Sequence, residues 1–157
     1  MNNYFKVLRP GINSTFQDLG RFHLQHLGIV SSGCMDRSLF SISNKLVGNK
    51  FSEGALEFAY QGPLLEFIGE SVLVAISGKV NFNIINKKGE IKKGNSNQSF
   101  VISNKEKIDI LSTVDSVYGY FAISGGFKLK YFNESVSTLV KAKIGPNDGD
   151  KLNIDDK

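Results

Sequence analysis

Residues 64–84 read LLEFIGESVLVAISGKVNFNI and decide the fold class, because three short apolar runs follow one another with only turns between them. Gly69 and Gly78 divide the stretch into pieces of strand length. In the last piece, residues 80–84, apolar and polar side chains alternate, which is the period-two pattern of a strand buried on one face. The stretch therefore predicts three consecutive strands, over residues 64–68, 71–76 and 80–84.

Similar short runs lie on both sides of this stretch. A loop at residues 86–89, with Gly89 just before the chain returns, is typical of a β-hairpin. Pro10 and Gly11 end the first run of the chain, because proline lacks a backbone donor and glycine permits a turn. Further strands are predicted over residues 4–8, 55–60, 90–92, 99–102, 107–111, 117–124 and 151–154.

One segment has the spacing of a helix instead. Between residues 36 and 47 the apolar positions recur three or four apart. Asp36 is placed to cap the helix at its N terminus, and Gly48 stands where a left-handed C-terminal cap is favoured. A shorter helical turn is predicted at residues 137–141. Many short strands with one or two short helices predict a mainly β protein built as a closed or nearly closed barrel, because closure removes exposed strand edges.

Composition narrows the class of protein. Of the 157 residues 41% are hydrophobic and 22% are charged, with a net charge of +4, as in an ordinary globular domain. The densest basic residues, at 87–88 and 92–93, flank Gly89 as at a hairpin tip. Nucleic-acid binding needs a concentrated basic face, so no nucleic-acid partner is expected.

Cellular location and metal binding follow from what the sequence lacks. The single cysteine, Cys34, allows no intrachain disulfide and no cysteine cluster for a metal. Residues 1–6 lack the basic-then-apolar pattern of a secretory signal. The longest apolar run, residues 72–76, has the length of a strand rather than of a membrane span. We therefore expect a cytoplasmic protein that binds no metal and no membrane.

Several segments, taken in order, resemble one known family, and they follow one another along the chain with fitting gaps. They are residues 15–21 (TFQDLGR), 28–29 (GI), 33–36 (GCMD), 43–49 (SNKLVGN), 55–57 (ALE), 62–63 (GP), 75–78 (AISG), 120–126 (YFAISGG) and 137–139 (STL). On these segments the chain resembles the C subunit of the ATP-dependent 5-oxoprolinase, a family also called allophanate hydrolase subunit 2 or biotin-dependent carboxyltransferase.

The resemblance implies a fold and a set of partners. It implies that residues 1–157 form a single cyclophilin-like β-barrel domain, the amino-terminal one of a subunit that normally has two. It also implies a second protein resembling allophanate hydrolase subunit 1, and a small amide or lactam as substrate. In the 5-oxoprolinase version a separate subunit uses ATP, so this chain is expected to bind no cofactor itself. Biotin enters only in the carboxyltransferase version.

The resemblance also leaves a non-catalytic alternative open. A related pair of proteins in spore-forming bacteria regulates a histidine kinase. Here Tyr118 stands where the family commonly has arginine, and residues 143–150 form a shortened glycine-rich segment. Both departures favour an interaction module or a truncated relict of the carboxyltransferase family over an independent catalyst.

The polar residues of the first motif are candidate site residues. We assign a catalytic role to Asp18, and substrate contacts to Gln17 and Arg21, whose planar guanidinium suits a carboxylate. The alternative for Asp18 and Arg21 is a local ion pair that braces the turn at Gly20.

The later motifs supply three more candidates. Asp36 is assigned a catalytic role, although capping a helix would itself justify an aspartate there. Asn44 is a poor helix former and is assigned a substrate contact, with a structural bond to a neighbouring loop as the alternative. Glu57 is also assigned a substrate contact. If buried it would have a raised pKa and could act as acid or base, and if exposed it would be a surface residue.

Overall fold

The computed structural model describes residues 3–157; Met1 and Asn2, which belong to the stretch compared with a secretory signal, lie outside the described residues. Strands dominate that range, and most of them coincide with the predicted apolar runs to within two residues at either end. The strands are β1 Tyr4–Arg9, β2 Asn13–Gln17, β3 Ala55–Ala59, β4 Leu64–Ile68, β5 Ser71–Ser77, β6 Val80–Ile85, β7 Ile91–Lys93, β8 Gln98–Ser103, β9 Lys107–Thr113 and β10 Tyr118–Ile123. The helices are α1 Arg37–Leu46 and α2 Pro146–Gly149, and single 3-10 turns cover Gln25–Leu27 and Val140–Ala142.

The strands form two five-stranded sheets in which every pairing is antiparallel. One sheet has the order β1-β4-β9-β6-β7 and the other β2-β3-β10-β5-β8. The prediction of a mainly β protein with one or two short helices is confirmed. Within residues 3–157, however, no strand pairing joins the two sheets, so the predicted closed barrel is not observed and the strands form a pair of facing sheets.

The main core lies between the two sheets. Because side chains alternate along a strand, β5 directs Val74 and Ile76 into this core, and β10 directs Phe121 into it from the neighbouring strand. The opposite sheet contributes Phe67 and Phe82, which are 1% exposed. Burying each such aromatic side chain stabilises the fold by about 2 kcal/mol.

Helix α1 covers the outer face of the second sheet. Its Phe40 is fully buried against Ala75, Tyr120 and Ala122, the β5 and β10 residues that point away from the main core. The rings of Phe40 and Tyr120 meet edge to face, with centroids 5.8 Å apart. The central strands of this sheet are therefore covered on both faces, and all five residues of β3 are buried.

Helix α1 begins and ends where the sequence predicts. Asp36 is its N-cap, and Oδ1 of its carboxylate accepts hydrogen bonds from the backbone N–H groups of Ser38 (3.0 Å) and Leu39 (2.9 Å). Gly48 follows the helix in the left-handed region, with φ of 77°. A residue with a Cβ is disfavoured there, so the glycine is needed to end the helix.

One strand, β2, was not predicted from the sequence. β2 pairs with β3 from Asn13 to Gln17, although Phe16 is its only apolar residue, so the sequence has no period-two pattern there. Ser14, Thr15 and Gln17 are nevertheless buried, and Gln17 donates a hydrogen bond to the distant Thr138 O.

The strand predicted over residues 151–154 is wrong. That segment and the residues just after it have only isolated backbone hydrogen bonds to the two sheets. The N–H of Leu152 donates to Ser14 O (2.9 Å), while Val7 O accepts from the N–H of Asp155 (2.9 Å) and the N–H of Val7 donates to Asp156 O (2.9 Å). It covers the edges of β2 and β1 without forming a ladder. The helical turn predicted at residues 137–141 lies slightly later, at Val140–Ala142.

No helix within residues 3–157 is long and apolar enough to cross a membrane.

The cap at Asp36 can be tested by substitution. Asp36→Ala removes the acceptor for two backbone N–H groups and should lower the free energy of unfolding by about 1 kcal/mol. Thermal denaturation should then shift down by about 3 °C for a chain of this size. Asp36→Asn is the matched control, because asparagine caps nearly as well and should preserve stability. Equal stability of the alanine variant and the unmodified protein would contradict the capping role.

Candidate functional site

Two of the motif segments lie side by side. The segment after β2 pairs with the segment before α1, since the N–H of Cys34 donates to Asp18 O (2.8 Å) and the N–H of Arg21 donates to Ser31 O (2.8 Å). Glycines make this approach possible. A Cβ on Gly20 would lie 2.7 Å from Ser31 O, and both Gly20 and Gly33 have a positive φ, at 94° and 104°. We call residues 18–21 with 31–36 the paired loops.

Asp18 anchors a third segment to the paired loops. Its Oδ1 accepts hydrogen bonds from the N–H of Gly20 (2.7 Å) and the hydroxyls of Ser135 (2.8 Å) and Ser137 (2.5 Å). Its Oδ2 accepts from the N–H of Val136 at 2.7 Å. Asp18 is 7% exposed and its carboxylate has four donors, so its main effect is to hold residues 135–137 in place.

Arg21 is the largest fully buried side chain and is 1% exposed. Its Nη2 donates to Ser137 O, and its guanidinium lies 5.8 Å from the ring centre of Phe132. It forms no ion pair with any carboxylate of residues 3–157, so the local Asp18–Arg21 pair considered as an alternative is not formed. Nε and Nη1 are buried without a partner. Burial lowers the pKa of Arg21, and the nearby Asp18 charge opposes that shift.

Gln17 ends β2 in the same buried region. Its Nε2 donates to Thr15 Oγ1 (3.0 Å) and to Thr138 O (3.2 Å), while its Oε1 is buried without a partner. Gln17 therefore ties β2 to the segment that Asp18 and Arg21 also hold.

Glu57 lies under the other end of the paired loops. It belongs to the face of β3 that points away from the main core, and it is 5% exposed. Its Oε2 accepts hydrogen bonds from the hydroxyl of Tyr120 (2.6 Å) and the N–H of Met35 (2.7 Å). The Tyr120 oxygen in turn accepts from the N–H of Asp36 at 2.7 Å. Glu57 and Tyr120 thus form a buried chain of hydrogen bonds that ends at the N terminus of α1.

Burial changes the protonation of this cluster. Burial raises the pKa of Glu57 above its ordinary value of 4.5, although the bonds from Tyr120 and Met35 oppose the shift. Burial, and then the nearby Glu57 charge, raise the pKa of the Cys34 thiol to about 11. The same two causes raise the pKa of Tyr120. A thiol with so high a pKa is a poor nucleophile near neutral pH.

Asn44 belongs to a separate hydrogen-bond network behind α1. Its Nδ2 donates to Glu53 O (2.7 Å), and its Oδ1 accepts from Asn49 Nδ2 (3.2 Å). Asn49 also donates to Ile123 O at 2.8 Å. The network fastens the loop after α1 to the end of β10, which is the structural alternative considered for Asn44.

The candidate residues therefore fall into three groups. The first group, Gln17, Asp18 and Arg21, contacts residues 135–138. The second group, Glu57 and Asp36, lies at the start of α1. Asp36 is two residues after Cys34, whose backbone pairs with that of Asp18. No hydrogen bond or ion pair among the described residues joins Arg21 to Asp36. Both groups border the paired loops, and Asn44 lies apart from them.

Sequence reasoning missed three members of the site, Tyr120, Ser135 and Ser137. Ser135 and Ser137 lie 117 and 119 residues from Asp18 along the chain, so no local pattern could pair them with it, although Ser137 belongs to the motif segment at residues 137–139. Tyr120 had one usable feature: a tyrosine in a strand buried on both faces needs a partner for its hydroxyl.

The histidines do not join this site. His23 and His26 are exposed in the loop between the paired segments. Within the described part of the chain, no three His, Cys, Asp or Glu residues are grouped so that they could hold a metal ion.

The sequence of this chain is similar to parts of urea amidolyases and of 5-oxoprolinase C subunits. The urea amidolyase of Lachancea kluyveri is 29% identical over 97% of this chain and 8% of its own length. The C subunit of the Haemophilus influenzae 5-oxoprolinase is 28% identical over 96% of this chain and 47% of its own length. The solved structure of the K. lactis urea amidolyase superposes with a TM-score of 0.88 at 28% identity, over 97% of this chain and 9% of that one. This chain thus spans less than half the length of these relatives.

A family model supplies the assignment. The model described as "Carboxyltransferase domain, subdomain A and B" matches residues 27–157, which include the second of the paired loops, Glu57 and Tyr120. The chain therefore belongs to the carboxyltransferase domain family, in its subdomain A and B region.

Proposed function

We propose that this chain is a subunit of an ATP-dependent 5-oxoprolinase-type amidohydrolase complex, acting with a subunit-1-like partner on a lactam or amide. Support comes from the similarity to the 5-oxoprolinase C subunit, which extends over 96% of this chain at 28% identity. In this proposal ATP is used by another subunit. Biotin would have a role only if the complex transferred a carboxyl group instead.

The observation that carries the proposal is the buried carboxyl group of Glu57. Opening an amide requires a proton for the departing nitrogen, and a carboxyl group with a raised pKa can hold one closer to neutral pH. Oε2 of Glu57 takes both hydrogen bonds, and Oε1 takes none from the described residues. Oε1 is therefore the atom that we assign to proton transfer.

Arg21 is assigned to the carboxylate of the substrate. A buried guanidinium with no counterion is costly, and a bidentate carboxylate, bound through Nη2 together with either Nε or Nη1, would give a partner to one of the two nitrogens that have none. For a substrate to reach Arg21, the tight turn at residues 132–135 must move, because the Phe132 ring lies against the guanidinium. That turn is held by two backbone hydrogen bonds between Phe132 and Ser135.

The remaining candidates are assigned supporting roles around these two groups. Asp36 uses Oδ1 for the helix cap, so its Oδ2 is the oxygen available to a substrate or water. Asp18 and Gln17 hold the segment that Arg21 contacts. Asn44 acts at a distance, by fixing the loop that follows α1.

Partner binding is supported by apolar side chains on the loop that joins the paired segments. Phe22, Leu27 and Val30 are 50%, 64% and 55% exposed, and Met35 is 64% exposed. Exposed apolar residues gathered on one loop mark a surface that another protein can cover. We assign this loop to the subunit-1-like partner.

A non-catalytic interaction module is the second candidate. It is favoured by the many site atoms already used in internal hydrogen bonds, above all the four donors on Asp18. In that case the same exposed loop would bind the partner, and Glu57 would only stabilise the start of α1.

Reconstitution separates the two candidates. The chain should co-purify with the subunit-1-like protein, and adding the ATP-using subunit should give ATP-dependent release of glutamate from 5-oxoproline. The chain alone should be inert. Stable complex formation without any such activity would favour the interaction module, and failure to form the complex would contradict both.

If Arg21 binds the carboxylate of the substrate, replacing this arginine should weaken substrate binding. Lysine cannot make a bidentate contact, so Arg21→Lys should raise the KM of the assembled complex for 5-oxoproline about tenfold, the usual effect of losing a charged hydrogen bond. Arg37→Lys, on the exposed first turn of α1, is the control and should leave the KM unchanged. If Arg21→Lys lowers thermal stability but not affinity, the arginine is only a brace for Ser137.

The raised pKa of Glu57 predicts a definite pH dependence of stability. Its pKa is higher in the folded chain than the ordinary 4.5, so the folded state binds the proton more tightly. The contribution of this group to stability is therefore full below pH 4.5 and is lost as the pH rises through the folded-state pKa.

Urea denaturation across the pH range measures this effect. Glu57→Gln keeps an oxygen that can accept from Tyr120 and Met35 but cannot ionise, so the fall in stability above pH 4.5 should be smaller in the variant. Parallel curves for the two proteins would show that the carboxyl group of Glu57 titrates normally.

A further inference from the structure

A large cavity opens between the two sheets, away from the paired loops. Its volume is about 960 Å³, within the range of pockets that hold small organic molecules. It lies where β1 and β4 of one sheet face β2 and β3 of the other. None of the candidate residues Gln17, Asp18, Arg21, Asp36, Asn44 or Glu57 lines it.

The walls of this cavity are apolar and rich in aromatic rings. Phe5 and Phe67 contribute from the first sheet with ring centroids 5.0 Å apart, and Phe16 and Phe127 contribute from the other side with centroids 5.1 Å apart. Leu152, from the segment that spans the two sheet edges, completes the wall. Such walls favour a hydrocarbon or aromatic body over a sugar or a nucleotide.

The rim of the cavity is positively charged. Lys128, Lys130 and Lys157 line it and are exposed, and none of them forms an ion pair within residues 3–157. Asp156 is the only acidic residue among the lining residues. Its Oδ2 already accepts hydrogen bonds from Asn147 Nδ2 (2.9 Å) and from the N–H of Asn153 (2.7 Å). Lys157 Nζ lies over the Tyr4 ring, 5.6 Å from its centre, so Lys128 and Lys130 are the cations of the rim that are available to an anion.

We infer that the cavity binds a small amphipathic carboxylate, with its apolar body between the sheets and its carboxylate at Lys128 and Lys130. Aromatic walls below a cationic rim are complementary to this class of molecule, because each part of the ligand meets the surface that stabilises it. Glu57 and its partners Tyr120 and Met35 are not among the lining residues of the cavity, so binding here is independent of the proposed hydrolase role.

Calorimetric titration of the unmodified chain with decanoate tests the inference. We expect one saturable site per chain, and each methylene added in the series from octanoate to decanoate should tighten binding about fourfold. Decanol, which lacks the charge, should bind more weakly than decanoate. Absence of saturable binding, or several molecules bound per chain, would overturn the inference.

Variants locate the site. Lys128→Gln with Lys130→Gln should weaken decanoate binding about fivefold, the effect of two exposed charge pairs. The control replaces Lys87 and Lys88 with Gln at the β6–β7 hairpin tip, which removes the same charge and should leave affinity unchanged. Equal weakening in both double variants would mean that decanoate responds only to the net charge of the chain, and would contradict the site.

A second variant tests the cavity itself. Val72 lines the cavity, and Val72→Trp places a larger side chain in it, so this variant should lose decanoate binding. Unchanged affinity in a folded Val72→Trp variant would contradict the site.

Discussion

Coverage of the second sheet on both faces is the constraint on which the candidate site depends. One face packs against the opposite sheet and the other against α1, so the middle strands have no solvent-facing side. Every residue of β3 is therefore buried. This includes Glu57, because the outer face of the strand, to which it belongs, is covered as well. Its carboxyl group instead bonds to Tyr120 and to the backbone that enters α1. The raised pKa of Glu57 follows from the packing of the whole sheet.

The paired loops are held by a second, polar constraint. Asp18 collects four donors from its own turn and from a segment more than a hundred residues later. Arg21 and Gln17 contact the same late segment. A buried carboxylate with all its bonds made is costly to disturb, because each donor left unpaired costs about 1–3 kcal/mol. The loops thus keep one geometry although they contain little regular structure.

The sequence predicted those parts of the fold that depend on local patterns. β4 covers the predicted residues 64–68, and α1 begins after Asp36 and ends before Gly48. These elements were predictable because periodicity and helix caps depend on residues that are neighbours in the sequence. β2 was missed because a strand with buried serine, threonine and glutamine has no apolar alternation. The segment at residues 151–154 was wrongly predicted because the backbone of this part of the chain bonds to two different sheets instead of to one partner strand.

The site was predictable only in part, for the same reason. Glu57 could be placed on a strand with its side chain opposite to those of Leu56 and Phe58, but the strand pattern does not show that the backbone of Met35 and the hydroxyl of Tyr120 meet its carboxyl group. Asp18 and Arg21 were recognisable as a polar turn, whereas Ser135 and Ser137 become their partners only through the fold. Such contacts depend on long-range topology and not on spacing along the chain.

The most direct test of this account is the titration of Glu57 itself. The ¹³C shift of its side-chain carboxyl carbon can be followed by NMR as a function of pH, with the resonance assigned by its absence in Glu57→Gln. The account predicts a midpoint clearly above the ordinary value of 4.5. A midpoint at or below 4.5 would mean that the hydrogen bonds to the carboxylate outweigh its burial, and would contradict its assignment as a proton carrier.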